Sequence, residues 1–350
     1  DKDRSTTRYR IIGRSPPLKD AREKVTGSAK YAIDIRLPDM LYAKILGSPY
    51  PHAYVKRVDV GEAIKLPGVR AVITCKDCPR ILLNIYDTRP LYPMDDHVRC
   101  IGDEIAAVAA DSEEEAEEAL KAIKVEYKIL PAVFDPLEAA KPTAPKLYPE
   151  GNIADPGGRP FEIGWGNVDK AFEESDLIVE DVFRTQIHHP TPIEPRTCVA
   201  DFRDDELTVW VTTHYPHKVR EDLAQVLGLP LNKINVITRF IGGSFGAKKR
   251  ERYYIITALL AKKAGRPVKL VYTRQQEHTI GRRRYSAVAR AKIGARKDGT
   301  FTALEYECYY DVGAYGSYLG GSVLFRLSDF YVYKFGNARF KAYDVNTNLI

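Results

Sequence analysis

"TRFIGGSFGAKKRERYYIITALLAKKAGRP", residues 238–267, sets Gly242, Gly243 and Gly246 between the β-branched run "INVITRF" (234–240) and the helix pattern "ERYYIITALLAKKA" (251–264). A strand that enters a glycine turn and leaves as a helix exposes backbone amides at the positive end of a helix dipole. Such a turn suits a phosphate or another anionic acceptor. The spacing is not that of the dinucleotide fingerprint, and no Gly-Lys-Ser or Gly-Lys-Thr follows to make a nucleotide-triphosphate loop. Phe245 sits in the middle of the turn, where its ring either plugs the loop into the core or offers a wall to something flat. The basic residues that follow, Lys248, Lys249, Arg250 and Arg252, read as a solvated helix start.

The rest of the composition limits the possibilities. With 350 residues the chain is long enough for two domains, and with 44% hydrophobic and 29% charged residues it is ordinary for a globular protein. No apolar run approaches the roughly 18 residues that a membrane span needs. A net charge of +6 with mixed signs is weak support for nucleic acid. Five cysteines, an odd number, point to free thiols in a reducing, cytoplasmic compartment. Cys75 and Cys78 form a CxxC, but only His97 and Cys100 lie near enough in sequence to complete a metal or redox site.

Short strands and one well-marked helix fill the first third. "SEEEAEEALKAI" (112–123) begins with Ser112 and has Glu115 three residues on, a capping box, while Ala116, Ala119, Leu120 and Ile123 form one apolar stripe. Residues 1–130 thus read as a small α+β domain. Proline and glycine cluster over residues 131–163, which read as an extended surface linker. From residue 164 to 350 strands and helices alternate without a repeat, as a mixed α/β domain containing a hairpin that turns at Lys297-Asp298-Gly299.

Several segments now bear on family. "IGGSFGAK" (241–248) resembles the Gly-Gly-Gly-Phe-Gly-Gly-Lys signature of the molybdenum hydroxylases, the xanthine oxidase and aldehyde oxidase family. "KVTGSAKYAIDIRLPDMLYAKILGSPYPHA" (24–53), "HPTPIEPRTCVADF" (189–202), "DVGAY" (311–315) and "NTN" (346–348) resemble other family segments in the same order. The resemblance implies an α+β chain, an a/b hammerhead domain followed by a molybdenum-cofactor-binding domain. It also implies a molybdenum–molybdopterin cofactor, either plain or as the cytosine dinucleotide, with no direct protein ligand to the metal. Carried over by position, Gly242, Gly243, Phe245 and Gly246 would contact the cofactor, and Phe245 would line the substrate pocket.

Two positions depart from the family pattern. His214, in "TTHYPHKVR", stands where a glutamine is expected to hydrogen-bond a molybdenum oxygen; a neutral imidazole can donate in its place, or His214 points elsewhere. Lys249 stands where some purine-acting members carry glutamate, which favours a carboxylated or thioester-bearing aromatic substrate over xanthine. Glu194 fits the family's structural glutamate, whereas the catalytic general-base glutamate would lie outside this chain. "GRRRYS" (281–286) is a further basic cluster, read as a surface strand edge.

The resemblance therefore implies one component of a hydroxylase or dehydrogenase acting on a small aromatic, N-heterocyclic or aldehyde substrate, inactive alone. A second molybdopterin-binding polypeptide or C-terminal segment would complete it, and a [2Fe-2S] subunit and an FAD subunit would take the electrons. The alternatives are a reductive dehydroxylase of a 4-hydroxybenzoyl-CoA type of thioester, and a non-catalytic scaffold or maturation protein.

Overall fold

The computed structural model describes residues 10–83, 92–154, 156–249, 251–316 and 333–350, so Arg250 of the basic run lies outside the described residues. In chain order the elements are α1 (Ala21–Val25), β1 (Leu41–Gly47), β2 (Ala53–Asp59), β3 (Val69–Thr74), β4 (His97–Val98), β5 (Glu104–Ala110), α2 (Glu113–Ala122) and β6 (Lys124–Ile129). They continue with α3 (Pro136–Ala139), β7 (Phe161–Trp165), α4 (Val168–Glu173), β8 (Leu177–Thr185), β9 (Thr197–Arg203), β10 (Glu206–Val211), α5 (Pro216–Leu227) and β11 (Ile234–Ile237). After the glycine loop come α6 (Tyr253–Ala264), β12 (Val268–Val271), α7 (Arg274–Thr279), β13 (Ser286–Ala295), β14 (Phe301–Asp311) and β15 (Ala338–Val345).

A seven-stranded sheet in the order β11-β10-β9-β12-β1-β5-β3 forms the centre. Its β1, β3 and β5 precede residue 131 and the other four strands follow residue 163, so one sheet crosses the expected division, with β1 running parallel to β12 at the seam. "EIAAVAA" of β5 is buried along its whole length because the two faces of a strand alternate. Ala107 and Ala109 join the cluster built on α6, while Ala106 and Val108 face Ala119 and Ile123 at α2. Helix α2 is capped by Ser112 Oγ accepting the Glu115 N–H at 3.2 Å. Helix α6 is buried on every side, with Tyr253, Tyr254, Ile255, Ile256, Leu260 and Ala261 all in the core. An all-round apolar helix belongs inside a protein.

Residues 131–163, read as a surface linker, are anchored instead. Val133, Ala139, Leu147 and Tyr148 are buried with Ala314 and Val345, and the Tyr148 hydroxyl donates to Ala314 O at 2.6 Å. Asn152 accepts the Leu147 N–H at 2.9 Å and donates to Ala139 O at 3.0 Å. The prolines and glycines dictate an extended backbone; the apolar residues between them decide that it packs.

A second sheet has the order β7-β15-β14-β13-β8, and a third joins β4, β2 and β6. The expected hairpin forms from β13 and β14, with Gly299 at φ 87° closing its turn. "NTN" ties these parts together. Asn346 donates to Gly313 O at 2.8 Å, Thr347 to Asp311 at 2.6 Å and Asn348 to Arg99 O at 2.8 Å, while Asn348 accepts the Val133 N–H at 2.9 Å.

Candidate functional site

The glycine loop lies between β11 and α6 and is held from below by Glu194. The Gly242 N–H donates to Glu194 Oε2 at 2.7 Å and the Glu194 N–H returns to Gly242 O at 3.1 Å. A Cβ on Gly242 would lie 2.4 Å from Glu194 Cβ, so the close approach requires glycine. This corrects the expectation that the Gly242 amide faces a ligand: it is spent on the support of the loop.

Lys248 is also corrected. Rather than starting a solvated helix it is fully buried, donates to Glu194 O at 2.7 Å and lies 3.5 Å from Glu194 Oε2. Burial pushes the Glu194 carboxyl up and the Lys248 amine down, each toward its neutral form. Arg252 is buried too, 2.8 Å from both Asp103 and Glu104 at the start of β5. Helix α6 begins only at Tyr253. The loop therefore owes nothing to the helix dipole, whose effect is confined to the first turn.

Above this support the turn is open. Gly243 (φ 94°), Phe245 (φ 49°) and Gly246 (φ 80°) are all left-handed, and the N–H groups of residues 243–246 have no acceptor among the described residues. Successive amides in such a turn form a concave anion site. A phenylalanine at positive φ is an uncommon conformation, sustained here because Arg284 donates to Phe245 O from outside the loop. The Phe245 ring is 62% exposed, so it does not plug the core.

A buried ionic network fixes the far end. Arg196, with no exposed surface, pairs with Glu251 and Glu277 and donates to Ala247 O at 3.1 Å. Sequence reasoning missed this brace; its only sequence trace is an arginine in the "IEPRT" run leading into an apolar strand.

His214 lies beside the turn. The Lys248 N–H donates to Ser244 Oγ at 3.2 Å, and Ser244 Oγ shares a hydrogen bond with His214 Nδ1 at 2.7 Å. His214 Nε2 has no partner among the described residues, and in the tautomer whose Nδ1 accepts from Ser244 it carries the proton and can donate. Partial burial, then Lys249, lower the imidazole pKa and favour its neutral form. Lys249 Nζ lies 5.8 Å from the Tyr215 ring centroid, and burial, then Arg282 and Arg284, lower its pKa. Among the described residues no carboxylate makes a salt bridge with Lys249, Arg282 or Arg284.

The CxxC is elsewhere. Cys75 and Cys78 are free thiols, and burial pushes Cys78 up to about 12. His97 Nε2 faces His52 Nε2 at 3.0 Å, and Cys100 donates to Asp103. Among the described residues no group of three or more His, Cys, Asp or Glu side chains is placed to hold a metal. No described helix is long and apolar enough to cross a membrane.

Amides without an acceptor among the described residues, an exposed imidazole and an exposed aromatic ring thus meet on one braced loop. The family described as molybdopterin cofactor-binding domain matches residues 149–350, and that described as aldehyde oxidase and xanthine dehydrogenase, a/b hammerhead domain, matches residues 26–131. The chain belongs to this molybdenum oxidoreductase family. It is an α+β molybdopterin-binding component with a hammerhead domain followed by a molybdenum-cofactor-binding domain.

The chain is 39% identical over 339 residues to a probable xanthine dehydrogenase subunit of Bacillus subtilis (strain 168), covering 94% of this chain and 44% of that one. It is 36% identical over 323 residues to the nicotinate dehydrogenase large molybdopterin subunit of Eubacterium barkeri, covering 91% and 74%. Among solved structures, quinoline 2-oxidoreductase from Pseudomonas putida 86 superposes with a TM-score of 0.88 at 27% identity, over 97% of this chain and 45% of that chain. The chain thus spans less than half the length of the first and third of these relatives.

Proposed function

We propose that the chain forms one wall of the active site of a molybdenum hydroxylase or dehydrogenase acting on an aromatic, N-heterocyclic or aldehyde substrate. The observation that carries this reading is the run of amides at residues 243–246 with no acceptor among the described residues, beside His214 Nε2 and the exposed Phe245. The residues fit the cofactor on that ground: Gly243 and Gly246 would bring main-chain donors to its oxygen atoms, with Gly242 setting the turn through Glu194. When bound, the molybdenum centre supplies oxygen transfer and two-electron redox chemistry. Positioning is this chain's own part. His214 donates a hydrogen bond toward an oxygen of the cofactor, Phe245 flanks the substrate ring, and Arg196 keeps the loop from shifting.

Lys249, with Arg282 and Arg284 beside it, favours an aromatic substrate carrying an anionic group, and the relative named for nicotinate supports the same class. In this reading the general-base glutamate, with the rest of the cofactor pocket, comes from a second polypeptide or a C-terminal segment. Residues 1–130 serve as the hammerhead part, 131–163 as the connection and 164–350 as the first cofactor-binding part. The pterin is either the plain form or the cytosine dinucleotide, [2Fe-2S] and FAD subunits remove the electrons, and the free thiols suit the cytoplasm.

The test is to purify the assembly, measure molybdenum and pterin, and assay nicotinate, purines, aldehydes and aroyl thioesters. Hydroxylation of an anionic heterocycle is expected; dehydroxylation of a thioester alone would transfer the chain to the reductive class. Phe245→Ala should lower kcat/KM by about 100-fold, as loss of orientation does, with the circular dichroism spectrum unchanged. Wild-type kinetics would remove Phe245 from the pocket.

A further inference from the structure

Among the described residues, strand β8 is the outer strand of the second sheet, paired on one side only, to β13, from Leu177–Ala295 to Thr185–Ala287 with no break in register. All of its residues are exposed. Leu177, Val179 and Phe183 point to one face and Ile178 and Val182 to the other, and these five side chains are 44–59% exposed. Natural sheet edges are protected by lysine, proline, a bulge or extreme shortness. "LIVEDVFRT" has no lysine and no proline, and it runs for nine residues. Two of its three charges are matched within the chain, Glu180 with Arg290 and Arg184 with Asp135, which leaves Asp181 as the one charge without a salt bridge among the described residues. A strand apolar on both faces is the pattern of an interior strand, not of an edge.

The exposed band continues to the candidate site. Beyond β8, Ile187 and Ile193 are 43% and 91% exposed, and His188 forms a β-bridge with Arg284, the residue that holds Phe245 O. The end of β8 is thus linked to the Phe245 loop through His188 and Arg284. Three relatives of this chain extend beyond the part that it covers, two of them to more than twice its span. We propose that the segment completing the molybdenum-binding subunit, on the same or a separate polypeptide, adds a β-strand to the free edge of β8 and buries both of its faces. This rests on the molybdenum reading above.

Two measurements on the purified native assembly test it, with molybdenum content determined on the same sample. In hydrogen exchange, an edge strand protects only alternate amides, whereas a strand paired on both sides protects nearly all. Protection across residues 177–185 is expected; free exchange of alternate amides in a molybdenum-loaded assembly overturns the proposal and leaves the molybdenum reading intact. Protection in an assembly without molybdenum would overturn both, because the occupant assigned here would then be wrong. The double variant Val179→Lys/Val182→Lys places one lysine on each face at exposed positions. It should keep the wild-type circular dichroism while molybdenum content falls at least tenfold. Wild-type molybdenum content with lysine on both faces, or a homodimer formed through β8, overturns the proposal, and should the variant not fold, the exchange pattern of the wild type decides.

Discussion

Ser244 Oγ accepts the Lys248 N–H and shares a hydrogen bond with His214 Nδ1; with Ser244 as the donor there, His214 presents Nε2–H as a further donor. Removal of one preorganised donor from a reaction centre costs about 100- to 1000-fold in kcat. His214→Ala should show a loss of that size in the loaded assembly, His214→Gln should recover most of it through its amide N–H, and Ser244→Ala should fall between them because the hydrogen bond to Nδ1 is lost. Steady-state rates normalised to molybdenum content decide this, and a wild-type rate for His214→Ala removes the donor role. Arg196 belongs to the same argument. Replacing it by methionine leaves Glu251 and Glu277 buried without their cation, which typically costs about 3–5 kcal/mol. Chemical denaturation should register that loss, whereas a change below about 1 kcal/mol would mean that the two carboxyls simply protonate.

His52 and His97 join β2 to β4, with their Nε2 atoms 3.0 Å apart and Tyr54 stacked on His97. Burial lowers both pKa values, then Arg99 lowers His97 further, to about 4. In the unfolded chain both titrate near 6.5, so between pH 6.5 and 4 the unfolded state binds more protons. Stability contributed by the neutral pair is complete above pH 6.5 and declines as pH falls toward 4. His97→Asn should flatten this acid limb when urea midpoints are compared at pH 7 and pH 5; an unchanged slope would assign the limb to other groups. Elements with local signals were legible in the sequence: the Ser112 cap, the α6 pattern and the Gly299 turn each depend on residues a few positions apart. The start of α6 was not, because Lys248 and Arg252 resemble a solvated first turn until Glu194, Asp103 and Glu104 are brought beside them by the fold. For the same reason the family signature located the glycine loop but could not reveal that the Gly242 amide is committed inward.

The central sheet makes a claim about the molecule that neither matched region makes alone. Strands β1, β3 and β5 of the hammerhead region and β9 to β12 of the cofactor-binding region form one hydrogen-bonded array, and α6 packs across the seam. Arg252 at the start of α6 clamps Asp103 and Glu104 next to β5, and the "NTN" side chains bond to backbone from residues 99, 133 and 313. Two domains joined by a linker would open independently, with separate free energies; a shared sheet must open as one unit. Exchange of the β5 and β9 amides, followed with increasing urea, should therefore converge on one free energy. Arg252→Met removes the cation between two buried carboxyls and should lower both values by the same amount, on the order of 3–5 kcal/mol. If β5 exchanged at a distinctly lower free energy than β9, or only β5 responded to Arg252→Met, the seam between β1 and β12 would be a contact between two separate units, and the glycine loop would keep its shape without the hammerhead strands.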